Sequence, residues 1–170
     1  MNMKFDTHSA HDMMEDAKRL INTEGSRPKP TNKKIIAWLD GASAKFNAAG
    51  DKSSSAKCNK MAARVAAEIG DTQKAANLWK SAYENYAYCG NSIEAAEAVN
   101  EAARLVSDKG KKRKLLICCA DMHVETAHDS RFAEDRRRHF EEAAKISGHV
   151  GSERKARGNN LAAQFAKNKY

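Results

Sequence analysis

Along most of the chain apolar side chains recur every three or four residues, the spacing that gathers them on one face of a helix. The recurrence predicts eight helical segments. The first runs from a cap at Thr7 or Ser9 to about Asn22, with Met13, Met14, Ala17, Leu20 and Ile21 on its apolar side. A second starts behind Thr31 and carries Ile35, Trp38, Leu39, Ala42, Phe46 and Ala49. The third, about 52–69, turns Cys58, Met61, Ala62, Val65 and Ile69 inward, and the fourth, 72–88, carries Ala75, Leu78, Trp79, Ala82, Tyr83 and Tyr86. The fifth, 92–107, has Ile93, Ala96, Val99, Ala102, Ala103 and Val106. Leu115, Leu116, Cys119 and Met122 mark the sixth, about 111–127; Phe132, Phe140, Ala143, Ala144 and Ile146 mark the seventh, about 130–147, closed by Gly148. The last, 152–167, includes Leu161, Ala162 and Phe165, with an interruption expected at Gly158-Asn159-Asn160 because both residue types weaken helices.

Glycine punctuates this pattern at 50, 70, 90 and 110, each time closing a helical run. Asp follows Gly50 and Gly70, and Asn follows Gly90. A left-handed helix stop is thus followed at once by a side chain suited to capping the next helix. Two helices and two corners make a unit near forty residues, the size range of helical-hairpin repeats. The expected fold is all-α: antiparallel helical hairpins stacked as a short right-handed superhelix of seven or eight helices. Both prolines fall at Pro28 and Pro30, so residues 1–30 read as an N-terminal helix and linker, and residues 31–170 as the repeat domain.

Composition adds to the picture in three ways. Aromatics make up only 6% and alanine is abundant, so helices are expected to pack closely on small side chains. No run reaches the ~20 apolar residues of a membrane span, and residues 1–10 carry His, Asp and Lys where a signal peptide is apolar, which leads us to expect a cytoplasmic protein without membrane contact. The four cysteines, Cys58, Cys89, Cys118 and Cys119, have no disulfide-scaffold spacing and are expected to be reduced. The formal charge of +8 favours encounter with anionic partners.

The segment Trp79-x2-Ala82-Tyr83-x2-Tyr86-x8-Ala95-x3-Val99-x2-Ala102 resembles a tetratricopeptide (TPR) repeat. Trp79, Tyr86, Gly90, Ala95 and Ala102 fit the pattern; Ala82, Tyr83 and Val99 depart from the favoured types, and Ser107 stands where Pro is usual. Forty residues earlier Leu39, Phe46, Gly50 and Ala62 keep the register, while Ser55 and Asn59 do not. The resemblance implies burial of Trp79 and Tyr86 between the fourth and fifth helices, and a non-enzymatic module that presents a helical groove or edge to a protein or peptide. The partner-facing candidates are Asn77, Lys80, Ser81, Glu84 and Asn85 on the fourth helix, with Lys34 and Lys45 on the second.

Candidate chemistry changes this reading little. Lys109, Lys111, Lys112, Arg113 and Lys114 crowd a helix start, where the dipole disfavours cations, and Arg136, Arg137 and Arg138 would join them in a basic patch if the hairpin brings them near. Neither stretch has interleaved aromatics, so base reading is not expected. The alternative function is a nucleic-acid-associated helical protein that contacts phosphates through these clusters; a protein-binding module would show only weak, sequence-indifferent nucleic-acid binding. Cys119 and His123 share a helical face, but the paired spacing of a zinc site is missing and no metal or cofactor is expected. No phosphate loop, nucleophile elbow or His-Glu-x2-His occurs, and no catalytic residue is assigned. The expected protein is an adaptor or inhibitor, not an enzyme, and homodimerisation fits the same surfaces.

Overall fold

Eight α-helices account for most of residues 9–22 and 28–167, which are the residues described by the structure, a computed structural model. They are α1 (Ala10–Ile21), α2 (Lys29–Ala48), α3 (Lys52–Glu68), α4 (Thr72–Tyr88), α5 (Ser92–Leu105), α6 (Lys109–Asp129), α7 (Ala133–His149) and α8 (Glu153–Lys167). No strand occurs among the described residues, and the fold is all-α as expected. The chain divides between Cys89 and Gly90 into two units, α1–α4 and α5–α8, and within each unit every helix packs on the next.

The corners form for the reason the sequence suggests. Gly50, Gly70 and Gly90 have φ of 79°, 79° and 72°. At Gly70 the amide N–H donates to Ala67 O at 3.0 Å and that of Asp71 to Ala66 O at 2.9 Å, which ties off the last carbonyls of α3. Asp71 then accepts from Lys74 N at 3.1 Å and starts α4. Asp51 does the same for α3 through Ser54 N at 2.9 Å. One residue thus ends one helix and begins the next, which keeps the connection short enough to fold the helices back on each other. Asn91, expected to cap α5, makes no side-chain cap bond.

Several boundaries differ from the expectation. Gly110 is not a corner: Asp108 accepts from Lys111 N at 2.6 Å and starts α6 upstream of it, while Val106 ends α5 in an extended conformation. Among the described residues the fourth left-handed glycine is Gly151, φ 72°, and Gly148 lies inside α7. Pro30 sits in the first turn of α2, where its missing N–H costs nothing, so that helix starts at Lys29 rather than behind Thr31. α7 begins at Ala133, three residues later than expected. α8 runs unbroken through Gly158-Asn159-Asn160, because Ala162 and Ala163 pack against the cluster formed by Ala127 and Phe140. Packing of an apolar face outweighs weak local propensity.

The core is built largely of alanine, with a few large side chains between. In the first unit Ile35, Leu39, Val65, Trp79 and Tyr86 are buried, the last two 4% and 3% exposed. α1 docks through Met13 and Met14; a Cβ on Gly41 would lie 2.8 Å from Met13 Cε, so the bare glycine makes room for α1 on α2. A buried polar chain crosses the same unit: Ser43 Oγ lies 2.8 Å from Ser55 Oγ, donates to Asn59 Oδ1 at 2.9 Å, and Ser55 Oγ accepts from Asn85 Nδ2 at 3.1 Å. In the second unit Val99, Cys119 and Phe140 are buried. Ala49, Ile93, Phe132, Leu161 and Phe165, read from the sequence as apolar-face positions, are exposed instead.

Candidate functional site

Four of the five α4 candidates lie on or near the surface, and three of them have partners on their own helix. Asn77 is exposed and its Oδ1 accepts from Gln73 Nε2 at 3.2 Å. Lys80 and Glu84 pair with each other at 3.2 Å, and Ser81 is half-buried between them in sequence. Asn85 belongs to the buried chain with Ser55 and so holds α4 to α3 rather than facing a partner. On α2, Lys34 lies over the Trp38 ring at 4.6 Å, and Lys45 is exposed.

The two basic clusters lie at opposite ends of the second unit. Arg113 Nε donates to Val150 O at 3.1 Å, which sets the start of α6 beside the corner between α7 and α8. Lys109, Lys111, Lys112 and Lys114 around it are exposed and have no carboxylate partner among the described residues. The arginine triplet sits at the start of α7, against the end of α6, and is already engaged. Arg136 Nη1 donates to Ser130 O at 2.9 Å and Arg131 O at 3.1 Å; Arg137 pairs with Glu134 and Glu141; Arg138 pairs with Asp135 at 3.1 Å. The triplet therefore does not extend the lysine patch.

Its end of the unit holds an open pocket of about 350 Å³ where the starts of α5 and α7 meet the end of α6. Asn91, Ile93 and Glu94 line one side, Asp129 another, and Asp135, Arg138 and His139 the third. His139 is buried and its Nδ1 lies 3.1 Å from Nδ1 of His123, with the rings 28° from parallel. A hydrogen bond between those atoms needs one ring to donate and the other to accept, so at least one of the pair is neutral. Burial lowers the pKa of both rings from 6.5, helped for His123 by His139 and for His139 by Arg138; Glu142 opposes this at both, and Asp135 at His139. Sequence reasoning did not find the pair, because its members are sixteen residues apart on different helices and no spacing rule joins them.

Cys119, read with His123 as one helical face, turns away from it and donates to Ala96 O at 3.5 Å. Burial pushes its thiol up to about 12 and that of Cys58 up to about 11, so both behave as apolar core groups. Among the described residues no group of three or more His, Cys, Asp or Glu converges as a metal site.

Two large apolar side chains stand on the outer face of α8 among polar and charged neighbours. Leu161 and Phe165, one turn apart, are 54% and 69% exposed, while Ala163 and Ala166 on the opposite side are buried. No described helix is long and apolar enough to cross a membrane. Compared with known proteins, the chain matches no protein-family model, and no curated protein matches it in sequence. What the structure shows is the coarser arrangement, consecutive helices packed in turn within each unit.

Proposed function

We propose that this is a non-enzymatic protein-interaction module, an adaptor or inhibitor of TPR-like construction, that docks a partner protein on the outer face of α8. The observation that carries the reading is the pair Leu161 and Phe165, held outward on the last helix of the second unit. Large apolar groups clustered on a solvent-facing helix surface mark an interaction site, where a polar face would otherwise be expected. Here two large apolar groups stand on one stripe instead, and burying them against a partner would contribute roughly 1.5–3 kcal/mol each. On α4, Asn77 is taken up by Gln73 and Lys80 and Glu84 by each other, so these residues are better suited to a solvated rim than to an anchor. Four free thiols, two of them buried, suit a reducing cytoplasm.

The test is a Leu161→Ser/Phe165→Ser variant. Because both side chains are largely exposed, its helical spectrum and melting should match the parent. Capture of partners from native lysate, with mass spectrometry and light scattering in parallel, should show a protein held by the parent and lost by the variant. If that protein is a second copy, the parent is a dimer and the variant a monomer. Identical captured proteins and identical mass for parent and variant would remove the α8 face as the docking edge.

A further inference from the structure

We propose that the end of the second unit formed by the α5–α6 and α7–α8 corners docks the phosphate backbone of duplex nucleic acid without reading its sequence. The Arg113 to Val150 O bond joins these corners, which lie apart in sequence. Residues 101–114 and 142–157 together hold ten Lys and Arg against four acids, a surplus of six out of the chain's +8. Three of those acids are occupied by neighbouring cations: Glu101 by Arg104, Glu142 by Lys145 and Glu153 by Arg157. The fourth, Asp108, caps α6. Lys109, Lys111, Lys112 and Lys114, together with Arg154 at the start of α8, have no carboxylate partner among the described residues. The opposite end of the unit, residues 90–97 and 125–138, holds six acids against four arginines, so the surplus is confined to one end.

The chemistry of that end selects the occupant. A protein interface is anchored by apolar or aromatic groups desolvated at its centre. Residues 101–114 and 142–157 contain no Phe, Tyr or Trp, and every residue from 109 to 114 is an exposed Lys, Arg or Gly. The same lack of apolar groups beside the lysines argues against insertion into a lipid surface. Without aromatic platforms single strands have nothing to stack on, and what remains is cations meeting a regular array of phosphates. This surface is independent of the α8 stripe, and either can fail alone.

Anisotropy of a short fluorescent duplex of mixed sequence, titrated with the full chain at rising salt, tests the proposal. Four to five phosphates neutralised give a log–log slope of about −4, so affinity should fall by roughly two orders of magnitude between about 50 and about 200 mM salt. Lys109→Ser/Lys111→Ser/Lys112→Ser/Lys114→Ser should flatten the slope to between about 0 and about −0.9, because each lost phosphate contact removes about 0.9. The four-fold change to Arg should retain it, and Arg138→Ser at the other end should leave binding as in the parent. Equal binding by the parent and the Ser variant overturns the proposal. So does preference for poly-glutamate or for anionic vesicles over the duplex, which would assign the patch to an acidic protein or to a membrane.

Discussion

Substitution at Gly70 tests the corner that joins α3 to α4. With φ at 79°, an L-residue there pays the left-handed penalty of roughly 1–2 kcal/mol. No atom lies within 4 Å of a Cβ built at Gly70, so no clash adds to that figure. Alanine also restricts the unfolded chain, which returns about 0.4–1 kcal/mol. The net expectation for Gly70→Ala is a loss of about 1 kcal/mol. Gly70→Asn should recover part of it, because Asn tolerates the left-handed region better than Ala.

Gly148 supplies the opposite case. It lies within α7 without a positive φ, and again nothing crowds a Cβ, so Gly148→Ala should stabilise by roughly 0.5–1 kcal/mol. Both tryptophans, Trp38 and Trp79, belong to the first unit, so urea unfolding followed by their fluorescence reads Gly70 variants, and circular dichroism reads Gly148→Ala in the second. The two alanine substitutions should move the midpoint in opposite directions. Gly70→Ala as stable as the parent, with Gly70→Asn no different from it, would refute the left-handed corner and with it the account of how the hairpins turn.

Trp79→Ala removes a side chain only 4% exposed and should cost about 3–5 kcal/mol, seen as a steep fall in melting temperature. Because His123 and His139 have pKa values below 6.5 when folded, the unfolded chain takes up more protons as the pH drops below that value; stability of the second unit should be full above it and decline beneath it. Circular dichroism melts of the double His→Gln variant should show a flatter pH dependence than the parent. Asp51→Ala and Asp71→Ala each remove a side-chain cap and should cost about 1 kcal/mol by urea unfolding, whereas Asn91→Ala, which breaks no cap bond, should cost less.

The fold was legible where local chemistry decides it. A left-handed glycine followed by Asp specifies a corner from two adjacent residues, and Gly50-Asp51 and Gly70-Asp71 read correctly. Gly110 misled because Asp108, two residues before it, is a stronger helix start than Gly110 is a stop. The candidate sites were less legible because they depend on which helix ends meet. Lys109–Lys114 and Arg136–Arg138 look alike as sequence, yet the fold places them at opposite ends and gives the arginines partners at i−3, at i+4 and on loop carbonyls. Periodicity also assigned Leu161 and Phe165 to an apolar stripe without showing that the stripe faces outward.

Ser55 and Asn59, the two residues that break the TPR register, are both part of the buried polar chain from Ser43 to Asn85. An alanine-rich helix face is smooth, and sliding one such face past another by a turn changes apolar burial little. Polar groups are different, since a buried donor or acceptor left without its partner costs about 1–3 kcal/mol. Ser43 on α2, Ser55 and Asn59 on α3 and Asn85 on α4 meet only when three helices share one alignment, so the chain of bonds penalises every shifted packing. The second unit has comparable fixed points in the His123–His139 pair between α6 and α7 and in the Arg113 bond to Val150 O. Two of the residues that weaken the family likeness thus help give small-residue helices a defined register, which a surface spanning several helices must have to present its groups in fixed positions.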